Sequence, residues 1–168
     1  MTVGVLTVAA AALVAAGSPP QAKSVPPCTG SALTGTFRVV PGSPGAGNIV
    51  YELRVRDRSH ASCFVSGVPS LSLLDARGHA QATHARGVPA GQLTAVIVRL
   101  APGGAAKLTA RFSPDVPGPG EPVGKTCEPK SYKLRVTPNG GGSLVAPIQP
   151  PIPVCEHGAL AVTVFTAG

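Results

Sequence analysis

The chain has no tryptophan, no methionine beyond Met1, and only two tyrosines and four phenylalanines in 168 residues. That scarcity argues against aromatic platforms for stacking bases or sugars, so nucleic acid and stacked carbohydrate are poor expectations. It also removes the buried tryptophan of an antibody-type core, and a lone Met1 excludes a Met/His copper-carrier pattern. Acids are equally few, seven in all. Glu52, Glu121, Glu128 and Glu156 read as surface or loop residues rather than as paired carboxylates for glycoside hydrolysis. There is no Gly-x-Ser-x-Gly elbow, and Asn139 to Gly142 lacks the lysine and helix that a phosphate-cradling loop needs. Asp57, His60 and Ser62 lie close in sequence, but a triad is defined by geometry and this stretch reads as a strand-end turn. The histidines are His60, His79, His84 and His157. His79 and His84 have opposite parity on an extended strand, and with Asp75 they would make a surface metal site only if Gly78 to Ala85 bulged or looped. The reading is no catalytic residue, no metal and no cofactor.

Cysteine is limited to Cys28, Cys63, Cys127 and Cys155, with no CxxC pair, which argues against a structural zinc site. All four lie downstream of an uncharged apolar run, Val3 to Ala16, that is too short to span a bilayer and has the length of a secretory h-region. The expectation is a signal peptide over residues 1–22, with cleavage before Gly17 or near Ala22, a short linker over 23–27, and one domain over 28–168. Export oxidises thiols, and an even count leaves none over. Cys28 precedes the first strand-like run and Cys63 follows the second, so antiparallel pairing of those runs brings the two together. Cys127 and Cys155 flank a turn at Asn139 to Gly142 and would face each other across its hairpin. The pairs expected are therefore Cys28 with Cys63 and Cys127 with Cys155.

Removal of the leader leaves about 145 residues, enough for one domain with a modest core. The 21 glycines and 19 prolines cluster between apolar runs, which places them in turns rather than in a disordered chain. Within the runs, apolar and polar residues alternate as half-buried strands require. Tyr51, Leu53 and Val55 alternate with Glu52, Arg54 and Arg56. Leu71 and Leu73 alternate with serines, Val96, Val98 and Leu100 with Ile97 and Arg99, and Leu108, Ala110 and Phe112 with Lys107, Thr109 and Arg111. Phe37 and Val39 flank Arg38, Tyr132, Leu134 and Val136 flank Lys133 and Arg135, and Leu160, Val162 and Val164 close the chain. With Gly78 to Ala85 and Ser143 to Ile148 as edge candidates, the pattern predicts an all-β, immunoglobulin-like antiparallel β-sandwich of about eight or nine strands. A small closed barrel is the alternative architecture.

The remaining signal is charge, 14 Lys and Arg against 7 Asp and Glu. Arg38, Arg54, Arg56, Arg58, Arg99, Lys107, Arg111, Lys133 and Arg135 fall on outward positions of different strands, which predicts a basic sheet face. Such a face attracts an anionic envelope polymer, a lipid surface or an acidic protein, with a strength that falls as salt rises. Solubilising charge is the plainer reading of the same residues.

The stretch Cys63 to Gly78 (CFVSGVPSLSLLDARG) resembles the C-x-x-x-G-x-P-x-x-x-L-x-D-x-x-G signature of an exported actinobacterial domain of unknown function, family 4232. Cys28-Thr29-Gly30-Ser31-Ala32-Leu33 is similar to its opening Cys-Thr-x-x-x-Leu. Val98 to Ala106 (VRLAPGGAA) is similar to its Val-x-Leu-x-Pro-Gly-Gly-x-Ala turn, and Cys127 and Cys155 match its C-terminal cysteine pair. The resemblance covers roughly Cys28 to Phe165. It implies a secreted or envelope-associated β-sandwich and nothing about substrate. Two functions follow as expectations: a non-catalytic binding or structural module using one sheet face or the loops Pro41 to Gly47, Gly87 to Gly91 and Pro114 to Gly124, or a small metal-dependent or hydrolytic enzyme whose residues converge only in the fold.

Overall fold

In the computed structural model of the chain, Met1 and residues 24–89 and 96–168 are described. The expected signal peptide therefore lies outside the described residues, apart from Met1. Strands dominate the rest, joined by one 3-10 turn, Gly30–Ala32, and one four-residue helical turn, Cys155–Gly158. The strands are β1 Leu33–Val39, β2 Ile49–Asp57, β3 Cys63–Ser66, β4 Ser70–Leu74, β5 His84–Gly87, β6 Ile97–Leu100, β7 Ala105–Phe112, β8 Ser131–Thr137, β9 Leu144–Ile152, β10 Ala159–Val162 and β11 Thr166–Ala167.

One continuous sheet runs β4-β8-β9-β1-β2-β7-β10-β5, with β11 on β7, and β3 pairs with β6 as a separate ribbon. Strand β9 makes the corner. Its residues Leu144, Val145, Ala146 and Pro147 pair with β8, which it meets again at Ile152, and between these Ile148 and Gln149 pair with Phe37 and Arg38 of β1. A single core cluster gathers Leu71, Leu134 and Val136 from one end of this path with Leu53, Leu108 and Leu160 from the other, and adds Val65 and Val98 from the ribbon. The sheet thus folds over on itself around one core, which is the sandwich expected from the alternation, with the closed barrel as its alternative.

The burial follows the sequence parity closely on the long strands. On β2, Tyr51, Leu53, Val55 and Asp57 are buried, while Arg54 and Arg56 are exposed. Tyr51 stacks at a tilt on Phe37 and Phe112, with ring centres 5.1 and 5.3 Å apart, so three of the chain's six aromatic side chains meet at one point of the core. Its hydroxyl donates to the carbonyl of Pro150, 2.9 Å away on β9, and ties the two halves of the sheet together.

Burial pushes the Tyr51 phenol up to about 12. Ionisation of an unfolded tyrosine near pH 10 is then easier than ionisation of the folded one. The stability from this side chain is fully present below about pH 10 and is lost as pH rises from about 10 toward about 12. Urea midpoints at pH 8 and pH 11 check this by comparison with Tyr51→Phe. The substitution should remove that part of the alkaline loss, and at neutral pH it should cost about 1 kcal/mol for the missing hydrogen bond.

The structure differs from the sequence expectation in four respects. It has eleven strands among the described residues, because β3 and β11 are too short to display alternation. Two pairings are parallel, β1 with β9 and β5 with β10, since these partners are distant in sequence and hairpin reasoning sees only neighbours. Tyr132 is 40% exposed rather than in the core, because a register shift between Ser131 and Lys133 turns Ser131 inward instead. There Ser131 donates to Gln81 Oε1 at 2.7 Å. Finally, Val96 precedes β6 and is 46% exposed, while Phe165 takes the inward place after β10 that the pattern gave to Val164.

Candidate polyanion-binding face

Cross-strand partners in a sheet share a face, so register shows which cations stand together. On the outer face of β1-β2-β7, Thr34 is opposite Arg56, Thr36 opposite Arg54, and Arg38 opposite Glu52. The same β2 residues face Ala105, Lys107 and Thr109 of β7, and Val50 faces Arg111. Arg111 is in turn opposite Ala161 of β10, and Ala161 is opposite Arg86 of β5. Arg38, Arg54, Arg56, Lys107, Arg111 and Arg86 therefore share one face. From Arg56 to the Arg111 end the face is about 20 Å long at the usual strand rise.

The other predicted cations do not join it. Arg58 follows the end of β2, and its Nε donates to the carbonyl of Ser31. Arg99 belongs to the β3-β6 ribbon. Lys133 and Arg135 lie on β8, between β4 and β9, and Lys133 Nζ donates to the carbonyl of Ala76. The single basic face expected from parity is thus divided among separate parts of the sandwich, because parity distinguishes inside from outside but not one outside from another. Arg86 was missed for a related reason. Its place depends on the parallel pairing of β5 with β10, which nothing local in the sequence announces.

The face carries little neutralising charge. Among the described residues no Lys or Arg lies within 4.0 Å of a carboxylate, and every ion pair at that distance is made by a histidine. Among the described residues Glu52 is the one acid at the paired strand positions of the face, and Glu156 stands at its β5 end. At the β5 end, Asn48, Arg86, Val88, Arg111, Ser113 and Glu156 help line an open cleft of about 430 Å³. A shallower groove of about 190 Å³ runs over Thr34, Gly35, Thr36, Arg54 and Arg56. Of the candidate loops, Pro44, Gly45 and Gly47 adjoin Pro114 and Asp115 beside the start of β2, and residues 90 and 91 of the loop Gly87 to Gly91 lie outside the described residues.

The residues weighed for chemistry are scattered. Asp57 is fully buried, accepts the Ser59 amide at 2.8 Å, and has its other oxygen 3.8 Å from Cys63 Sγ. Among the described residues no hydrogen bond links it to His60 or Ser62. Asp75 and His79 form an exposed pair at 3.0 Å, and the His79 backbone amide is the main cause that holds the Asp75 carboxyl below its usual range. His84 stands on β5 opposite Ala159 and joins no three-residue ligand group with that pair among the described residues.

Glu121 lies in a loop, within the expectation of a surface or loop acid, but its side chain is only 2% exposed. Burial disfavours its charge, yet the amides of His157, Gly118 and Glu156 all donate to the carboxylate, and together they hold its pKa below the ordinary glutamate range. Two of those donors, Glu156 and His157, belong to a turn in which both have left-handed backbones, φ 57° and 56°, and the third, Gly118, is in the same loop as Glu121. Gly158 follows at φ 78°, where a Cβ would collide with the carbonyl of Ala82. The cysteines form two buried disulfides, Cys28 with Cys63 and Cys127 with Cys155, with Cα separations of 4.9 and 5.5 Å.

A family model described as Domain of unknown function (DUF4232) matches residues 28–166. The chain belongs to this family. The match takes in both disulfides, every strand but the last residue of β11, and the whole basic face. No match was found among curated proteins or among solved structures. DUF4232 membership carries no activity with it, so the functional reading of this DUF4232 domain rests on its own surface. No helix among the described residues is long and apolar enough to cross a membrane.

Proposed function

We propose that the protein is a non-catalytic, exported binding module that holds an anionic polymer of the cell envelope against the outer face of β1, β2, β7, β10 and β5. The observation that carries this reading is the grouping of six cations on one sheet face with no carboxylate at ion-pair distance. Cations without a carboxylate partner on one strand surface, of which Arg56 also donates to the Gly103 carbonyl at 2.7 Å, give a field that an extended polyanion can satisfy at several points at once. Arg86 and Arg111, on either side of Ala161, offer planar donors for a phosphate or carboxylate in the cleft. Export is supported by the pairing of all four cysteines in disulfides, which persist in oxidising compartments.

The test is titration of the oxidised chain with a poly(glycerol phosphate) polymer, with neutral dextran as control. Binding is expected at about 10 mM salt, where charges act over about 30 Å, and should be largely lost near 1 M, where that range is about 3 Å. Absence of binding at low salt, or binding indifferent to salt, would contradict the proposal.

A further inference from the structure

We propose that Glu121, Glu128 and His157 form a binding site for a divalent transition-metal ion such as Zn²⁺. One ligand atom from each of the three lies within 4.8 Å of the other two. His157 Nδ1 is 3.6 Å from Glu121 Oε1 and 3.6 Å from Glu128 Oε1. Two atoms bound to one tetrahedral ion at about 2.0–2.1 Å are separated by about 3.3 Å, so small side-chain movements close the set around an ion.

The tautomer of His157 makes this more than a cluster of acids. Its Nε2 is 2.9 Å from the carbonyl oxygen of Pro119, and a carbonyl can only accept, so Nε2 carries the hydrogen. In the neutral ring Nδ1 is then a bare lone pair beside two carboxylate oxygens; the Pro119 carbonyl and the Glu121 and Glu128 carboxylates raise the His157 pKa, so a proton on Nδ1 is what a metal ion there would displace. A metal-ligating histidine commonly has this arrangement, with its far nitrogen fixed by a backbone carbonyl.

The frame around the set is fastened by backbone hydrogen bonds and a disulfide. The buried Glu121 is held by the amides of Gly118 and Glu156 at 2.7 and 2.9 Å and by that of His157. The Cys127–Cys155 bridge ties together the chain positions next to Glu128 and Glu156. Its sulfurs also lie near Glu121, but as a disulfide they are not thiolate ligands. The His157 and Glu128 side chains are 50% and 25% exposed, which leaves solvent access and a fourth position for water. One imidazole with two carboxylates favours a transition ion over Mg²⁺ or Ca²⁺, which prefer all-oxygen sets. Spacing along the chain did not suggest a metal, because Glu121, Glu128 and His157 meet only through the disulfide and the left-handed turn.

Isothermal titration calorimetry with Zn²⁺ on the oxidised chain tests the site, with Mg²⁺ as the control ion. His157→Asn removes the imidazole while keeping a residue that accepts left-handed backbone. Glu128→Gln alters a partly exposed side chain and serves as the deciding variant if His157→Asn fails to fold. His79→Asn is the control for the other histidine–carboxylate pair. The expected result is one Zn²⁺ per chain, with affinity at least about tenfold weaker in His157→Asn and Glu128→Gln and unchanged in His79→Asn. Bound Zn²⁺ should also raise the melting temperature of the unsubstituted chain. No saturable Zn²⁺ binding, equal binding in all variants, or a loss confined to His79→Asn would overturn the proposal.

Discussion

A chain with all four cysteines replaced by serine is expected to be largely unfolded at 37 °C. The bridges close stretches separated by 35 and 28 residues. On the chain-entropy account loops of that size stabilise by about 3.8 and about 3.6 kcal/mol, together about 7 kcal/mol. A domain of this size has a total stability of only about 5 to 15 kcal/mol. The positions offer no relief, since Cys28 and Cys155 are fully buried and Cys63 and Cys127 nearly so, and serine hydroxyls there would need new partners. The Cys28–Cys63 bridge fastens the segment before β1 to β3, where Cys28 N donates to Phe64 O and Phe64 N to Pro26 O. The Cys127–Cys155 bridge closes the base of the β8-β9 hairpin and fixes the turn that holds Glu121. Circular dichroism and a thermal melt of the serine variant check the result. A cooperative melt within a few degrees of the parent would show that the core suffices without the bridges.

The dependence on these bridges reflects how the fold is written in the chain. Alternation on β2 and β7 is long and strict, so the core around Tyr51, Leu53, Leu108 and Phe112 was legible from sequence, as was the all-β class. Strand order also brings Cys28 toward Cys63 and Cys127 toward Cys155, the pairs found bonded. The parts that were not legible depend on contacts between distant segments. The corner in β9 and the parallel seating of β5 on β10 have no local signature. The bulge between Ser131 and Lys133 shifts the β8-β9 register by three residues, enough to exchange Tyr132 for Ser131 at the core. Glu121 looks like any loop acid until three amides from other loop and turn positions are seen to converge on it. For the basic face, alternation identified outward cations correctly but could not separate Arg54, Lys107 and Arg111 from Arg99, Lys133 and Arg135. That separation is a property of the whole sheet path.

The second large effect is expected from that separation. Each Lys or Arg close to an anionic surface contributes about 1 kcal/mol at moderate salt. Arg54, Lys107 and Arg111 belong to neighbouring strands of one face, so removing their charges together costs about 3 kcal/mol, on the order of a hundredfold in affinity. Replacement by glutamate adds repulsion and should exceed that loss. The positions are exposed or half-buried and point away from the core, so the fold should tolerate the change. Arg99→Glu, Lys133→Glu and Arg135→Glu, made together, alter the net charge of the protein by the same amount on other parts of the sandwich. The pair of triple variants thereby separates where the charge stands from how much of it there is.

The most direct measurement is the affinity of the two triple variants and the parent for poly(glycerol phosphate) at one low salt concentration, with folding checked by circular dichroism. The account predicts that Arg54→Glu with Lys107→Glu and Arg111→Glu loses more than about a hundredfold. It predicts that Arg99→Glu with Lys133→Glu and Arg135→Glu stays within about tenfold of the parent, the residual loss coming from weaker long-range attraction. Equal losses in the two variants would contradict it, because they would mean that net charge, and not this face of the sheet, holds the polymer.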